Sequence, residues 1–117
     1  MIQSKKSMES RNRVWEASSP SRLARVLTEI DDLQTMKNFL RDVMTESEII
    51  EIAARLKAAQ MLANKRKYTD IIVATELSSR TVARISDWLQ NGCSGYRSAL
   101  KTLSQASHHH ISSERLG

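Results

Sequence analysis

One Cys, one Pro, three Gly and 4% aromatic residues in 117 leave several fold classes without their raw material. Cys93 has no partner for an internal disulfide, which fits a reducing compartment and makes the cytoplasm the expected location. A β-sandwich or barrel needs turn residues every ~8–12 positions and strands rich in Tyr, Phe and Val, and this composition excludes both. No apolar run approaches the ~18 residues of a membrane span. The polar opening MIQSKKSMESRNR also lacks the apolar stretch of a secretory signal, so no membrane partner is expected.

What is present is ordinary globular composition: 40% hydrophobic and 26% charged residues, which excludes wholesale disorder, a collagen-like fibre and a coiled-coil rod. The class that remains is all-α. Eighteen Lys and Arg stand against 13 Asp and Glu, a net +5. That excess admits nucleic acid as a partner without singling it out.

Polar segments at residues 1–18 and 104–117 read as flexible ends around one folded segment, residues 19–103. A segment of roughly 85 residues buries only about two thirds of its unfolded surface, so a second subunit would help it. Ser19-Pro20 is a start signal, a cap followed by Pro at the first helical position. Leu23, Val26, Leu27, Ile30 and Leu33 then recur at helical steps to about Gln34. Thr35 is the expected cap of a second helix carrying Met36, Phe39, Leu40 and Val43 as far as Met44. Thr45-Glu46-Ser47-Glu48 reads as a capping box opening a long third helix. Its inward stripe is expected to be Ile49, Ile52, Ala53, Leu56, Ala59, Gln60 and Ala63. Ile50, Met61 and Leu62 widen the apolar arc, as burial on two sides would require. A short helix from Thr69, a break at Ser78-Ser79, a helix stopped by Asn91-Gly92 and a last helix from Gly95 to Leu103 complete about six helices.

Two short helices joined by a tight turn have the layout of a helix-turn-helix. If Val82, Ile85 and Leu89 point inward, a 100° step per residue puts Arg80, Arg84 and Asp87 outward, with Thr81 and Ala83 at the edges. Arg can pair with guanine O6 and N7, and the Thr methyl can touch thymine. Ser78 and Ser79 form the break just before that helix. Lys65, Arg66 and Lys67, with Thr69 beyond them, are suited to backbone phosphates, which give affinity and register but no sequence information. Spacing alone fits a solvated outer face as well as it fits DNA. Glu76 and Asp87 count against a phosphate-facing surface, although Asp87 can pair with Arg84.

The runs Phe39-Leu40-Arg41-Asp42, Thr45 through Ile49, Arg55-Leu56-Lys57-Ala58-Ala59, Leu77 through Ile85 and Trp88 through Tyr96 together resemble the Trp repressor superfamily, and within it the YerC/YecD-type branch. The likeness spans about residues 20–103. It implies an intertwined homodimer that binds double-stranded operator DNA as a transcriptional regulator, most simply a repressor. The wide apolar arc of the third helix would then face the other subunit.

In tryptophan-responsive members the co-repressor lies between two arginines, which Arg55 and Arg84 match. The residue after the second arginine is glycine there and Ile85 here, where a β-branched side chain would fill the pocket mouth or pack as core. L-Tryptophan is therefore not an expected effector. Glu76 stands where relatives carry a turn glycine; if that position needs φ > 0, Glu is strained or the turn is rebuilt.

Other candidates carry less. His108-His109-His110 are consecutive in a polar stretch and lack metal-site spacing. Trp15, Trp88 and Tyr96 sit at helical spacings typical of core or anchor residues. Glu29, Asp31 and Asp32, and Glu46, Glu48 and Glu51, lie at helix starts or solvent faces, where acids are favoured without catalysis. No enzyme activity, cofactor or metal is expected. The competing reading is a helical protein-interaction or assembly module without specific DNA binding.

Overall fold

The computed structural model describes the backbone of residues 9–116 and the side chains of residues 9–106. Among them no strand occurs. Residues 9–12 are helical and a 3-10 turn follows at Arg13–Glu16. Then come α1 (Ser18–Glu29), α2 (Leu33–Val43), α3 (Glu46–Ala63), α4 (Tyr68–Thr75), α5 (Ser79–Asn91) and α6 (Gly95–Leu116). The chain divides into two compact units, the first ending at Glu51 and the second beginning at Ile52.

The first unit is shaped by its helix ends. Helix α1 starts at Ser18, after an extended Ala17 that provides no side-chain cap. Pro20, expected at the first helical position, therefore falls at the third, still within the turn whose N–H groups have no intrahelical acceptor. The Ser21 hydroxyl donates to the Trp15 carbonyl and ties the 3-10 turn to α1.

Helix α1 stops at Glu29 rather than near Gln34, because Ile30 is already extended and Asp32 opens the next helix. The Asp32 carboxylate accepts from both the Thr35 N–H and the Thr35 hydroxyl at 2.8 Å. Thr35 is thus the donor, and Asp32 the cap. The backbone N–H of Thr35, helped by its hydroxyl, holds the Asp32 carboxyl below the usual carboxylate range.

At α3 the capping box forms as expected. The Thr45 N–H donates to Glu48 Oε1 at 2.9 Å, and the Glu48 N–H donates to Thr45 Oγ1 at 3.2 Å. These bonds lower the Glu48 pKa as well, the Thr45 backbone N–H first. No described residue up to Glu51 is buried. Leu33 is 70% and Ile50 60% exposed.

The second unit has a small closed core. Ala58 and Ala59 from α3, Ile71 from α4, and Val82 and Ile85 from α5 are all fully buried. Met61, Leu62, Ile72, Leu77, Tyr96 and Leu100 pack around them, so Tyr96 anchors α6 as expected. The buried face of α3 is not the expected stripe: Ile52, Ala53, Gln60 and Ala63 are exposed, while Ala58 is buried beside Ala59. An arc apolar around so much of its circumference cannot reveal by periodicity which side meets the core.

Helix α3 ends in two backward bonds, Arg66 N–H to the Met61 carbonyl at 3.0 Å and Lys65 N–H to the Leu62 carbonyl at 2.9 Å. This is a Schellman closure with Lys65, at φ 61°, in the left-handed position that usually belongs to Gly. Helix α6 passes the expected end at Leu103 and reaches Leu116, since no Gly or Pro interrupts residues 104–116.

Candidate nucleic-acid interface

Helices α4 and α5 pack on each other, and α5 packs on α6. The α4–α5 pair has the dimensions of a helix-turn-helix: eight residues, a turn at residues 76–78, then thirteen residues. Glu76 caps α4 at φ 61°, ψ 14°. The turn therefore keeps the left-handed residue that glycine would supply more cheaply, and is not rebuilt around Glu. Two hydrogen bonds brace it. The Thr75 hydroxyl donates to the Ile71 carbonyl at 2.7 Å, and the Leu77 N–H donates to the Thr75 oxygen at 3.3 Å.

Ser78 then caps α5. Its hydroxyl oxygen accepts from the Thr81 N–H at 3.1 Å and its proton goes to Thr81 Oγ1 at 2.9 Å. A cap that also engages the third residue's side chain fixes the first turn of α5, where a recognition helix meets bases. Ser78 and Thr81 therefore hold the helix start, and Thr81 is half-buried.

Burial of Val82 and Ile85 turns the opposite side of α5 outward, and Arg80, Ala83, Arg84 and Asp87 are exposed there, with Ser79 at the helix start. Arg84 lies over the Trp88 ring, 5.9 Å from its centroid. Asp87 does not take Arg84 as its hydrogen-bond partner: its Oδ1 accepts from Asn91 Nδ2 at 3.1 Å. The cation therefore rests on an aromatic face, and the carboxylate is drawn towards the far end of the helix.

Lys65, Arg66 and Lys67 form the exposed link between α3 and α4, with Thr69 exposed in the first turn of α4. No side chain caps that turn.

Arg97 was not anticipated from the sequence. Its Nε donates to the Leu89 carbonyl at 2.9 Å and its Nη2 to the Gln90 carbonyl at 3.2 Å, so a cation from α6 closes the C-terminal end of α5. Gly92 stops α5, yet at φ −86° it needs no glycine freedom; Ser94, at φ 69°, makes the left-handed turn. An Arg two residues into the next helix carries no periodic signal, so only the turn geometry brings it back.

Of the residues matched to an effector pocket, Arg55 is half-buried on α3, Arg84 is exposed over Trp88, and Ile85 is fully buried. Ile85 packs as core, the second of the two alternatives the sequence left open. Among the described residues no group of three or more His, Cys, Asp or Glu could hold a metal ion. His108, His109 and His110 lie outside the residues whose side chains are described. No described helix is long and apolar enough to cross a membrane.

The family described as Trp repressor protein matches residues 20–104. Among curated proteins, the uncharacterized protein YerC of Bacillus subtilis (strain 168) is 34% identical over 71 residues, spanning 61% of this chain and 68% of YerC. Among solved structures, a TrpR-like protein from Eubacterium eligens ATCC 27750 superposes with a TM-score of 0.73 at 29% identity, over 80% of this chain and 96% of that one.

Proposed function

The chain belongs to the Trp repressor protein family, whose members are DNA-binding regulatory proteins and not enzymes, and we propose that it is a cytoplasmic, sequence-specific transcriptional regulator acting as a homodimer on duplex DNA. The observation that carries this reading is the start of α5: a Ser78 cap fixes its first turn, two core residues orient it, and Arg80 and Arg84 project from the outer side. In this reading Arg80 reads a base edge, Arg84 and Ala83 line the groove, and Lys65, Arg66, Lys67 and Thr69 hold phosphates. Ser78, Ser79 and Thr81 set the approach of the helix, and the Thr81 methyl meets a base.

A two-fold dimer places two such helices in successive major grooves, so the site is an inverted repeat with half-site centres ~34 Å apart. The apolar surface left open in the first unit, at Leu33 and Ile50, supports pairing of two chains, because a monomer keeps that surface in water. A mobility-shift titration against fragments of the organism's own genome tests the proposal. Retardation of a small subset of fragments is expected; no retardation at low salt and micromolar protein would leave the helical interaction module as the reading. L-Tryptophan is not the effector in this account, since Ile85 stands where tryptophan-responsive members carry glycine and packs into the core. Titration calorimetry should register no heat of binding, and a micromolar dissociation constant would overturn the point.

A further inference from the structure

The first 25 residues form a basic segment ahead of an acidic one. Lys5, Lys6, Arg11, Arg13, Arg22 and Arg25 stand there against Glu9 and Glu16 alone, a net +4, whereas residues 26–51 carry a net −5. Part of that charge lines an open surface cleft on the first unit. Ser18, Ser21, Arg22 and Arg25 share one side of α1 and enclose an open cleft of about 260 Å³. Arg22 and Arg25 are three residues apart, so their guanidinium groups repel each other unless an anion lies between them. Both are exposed, and neither side chain has a hydrogen-bond or ion-pair partner among the described residues. Glu29 follows Arg25 by one turn without bridging to it. Ser21 spends its proton on the Trp15 carbonyl, which leaves the Ser18 hydroxyl as the donor beside the two cations.

We propose that this α1 cleft is a second, sequence-independent binding surface for the phosphate backbone of duplex DNA, lying outside the helix-turn-helix. The inference rests on duplex DNA being the partner, as argued above. Two forked guanidinium groups, with the Ser18 hydroxyl one turn before them, match the non-bridging oxygens of a phosphodiester. They carry no base-reading geometry, so the cleft adds affinity to specific and random DNA alike.

The test uses the full chain and the double variant Arg22→Gln, Arg25→Gln. Gln retains helix propensity, and both sites are exposed, so an unchanged far-UV spectrum is expected. Fluorescence anisotropy on a random-sequence 30-base-pair duplex between 50 and 200 mM salt gives the slope of log K against log salt. The slope should become shallower by about 0.9 for each chain that touches DNA, the contribution of the one phosphodiester no longer neutralised, and affinity should fall several-fold at 100 mM. An unchanged slope overturns the inference; if Arg80→Ala still relaxes discrimination in the same preparation, the helix-turn-helix reading survives that result. If no genomic fragment is preferred but the double variant still flattens the slope, the cleft stands and the sequence-specific reading falls. No binding of any duplex at low salt overturns both. Phosphatidylglycerol vesicles supply the control: loss of vesicle binding in the double variant with an unchanged duplex slope would assign the cleft to a membrane surface and overturn the proposal.

Discussion

In residues 9–51, carboxylates start two of the helices and no side chain is buried. In residues 52–106, five apolar side chains are fully buried and hydroxyls, backbone turns and one guanidinium close the ends. Asp32 and Glu48 decide where α2 and α3 begin, but a cap fixes only the turn it touches. Setting one helix against another requires close packing, and the second unit supplies it around Ile71, Val82 and Ile85. The surface proposed to read DNA sits on the unit with the core. The unit without one presents apolar faces and, on α1, the Arg22 and Arg25 pair, surface that a second copy and a polyanion can cover.

The largest effect should come from the core. Ile71→Ala removes most of a fully buried side chain and should cost about 2–5 kcal/mol in denaturant unfolding. The corresponding change at Leu33, 70% exposed in the single chain, separates two pictures of the first unit. If a second copy covers that face, Leu33→Ala costs a comparable amount and the midpoint rises with protein concentration. A loss below ~0.5 kcal/mol, the range of ordinary surface substitutions, with a concentration-independent midpoint would show that the first unit stands alone, and the dimer would fall with it.

Next in size is the closure of α5. Arg97→Ala removes two charge-assisted hydrogen bonds to the Leu89 and Gln90 carbonyls and should cost about 1–2 kcal/mol at these exposed positions. Arg97→Lys should recover part of the loss, because a single ammonium keeps the charge without the fork. Glu76→Gly runs the other way. A non-glycine residue at φ 61° costs roughly 1–2 kcal/mol, partly offset by the greater chain entropy of glycine, so a gain of about 0.5–1 kcal/mol is expected. A net destabilisation would mean that the Glu76 side chain makes a compensating interaction.

The smallest effect is a pH dependence confined to the first unit. The Asp32 and Glu48 carboxyls titrate below their unfolded values, so each stabilises fully above the unfolded pKa of ~4 and loses that contribution as pH falls through its lower folded value. Asp32→Asn with Glu48→Gln should flatten the acid limb of the stability curve below about pH 5. An unchanged acid limb would show that neither cap contributes to folding.

Much of this was legible in the sequence. The capping box at Thr45 and Glu48, the start of α3, a break at Ser78, the stop after Asn91 and the outward placement of Arg80 and Arg84 follow from local rules that act within one turn. Reading failed where two local signals competed or where the signal was not local. Thr35 and Asp32 are both good caps, and the carboxylate prevailed because it accepts two bonds from Thr35. The buried side of α3 was hidden by an apolar arc too wide to phase. Arg97 closes α5 from the next helix, which no spacing announces. The left-handed turns fell on Lys65, Glu76 and Ser94 rather than on any glycine, since surrounding hydrogen bonds held those positions whatever residue occupied them.

The central claim, that α5 reads base pairs through its N-terminal end, meets its most direct test in a paired measurement on a genomic fragment selected by the protein and on a random duplex of equal length. Arg80→Ala should weaken the selected fragment by about 1–3 kcal/mol, leave the random duplex nearly unchanged and relax preference at one base pair in each half-site. Lys67→Ala should instead weaken both alike and lower the salt slope by ~1 for each phosphate it ceases to neutralise. Equal weakening of both duplexes by Arg80→Ala would contradict the account, because Arg80 would then be holding phosphate and the first turn of α5 would not be reading sequence.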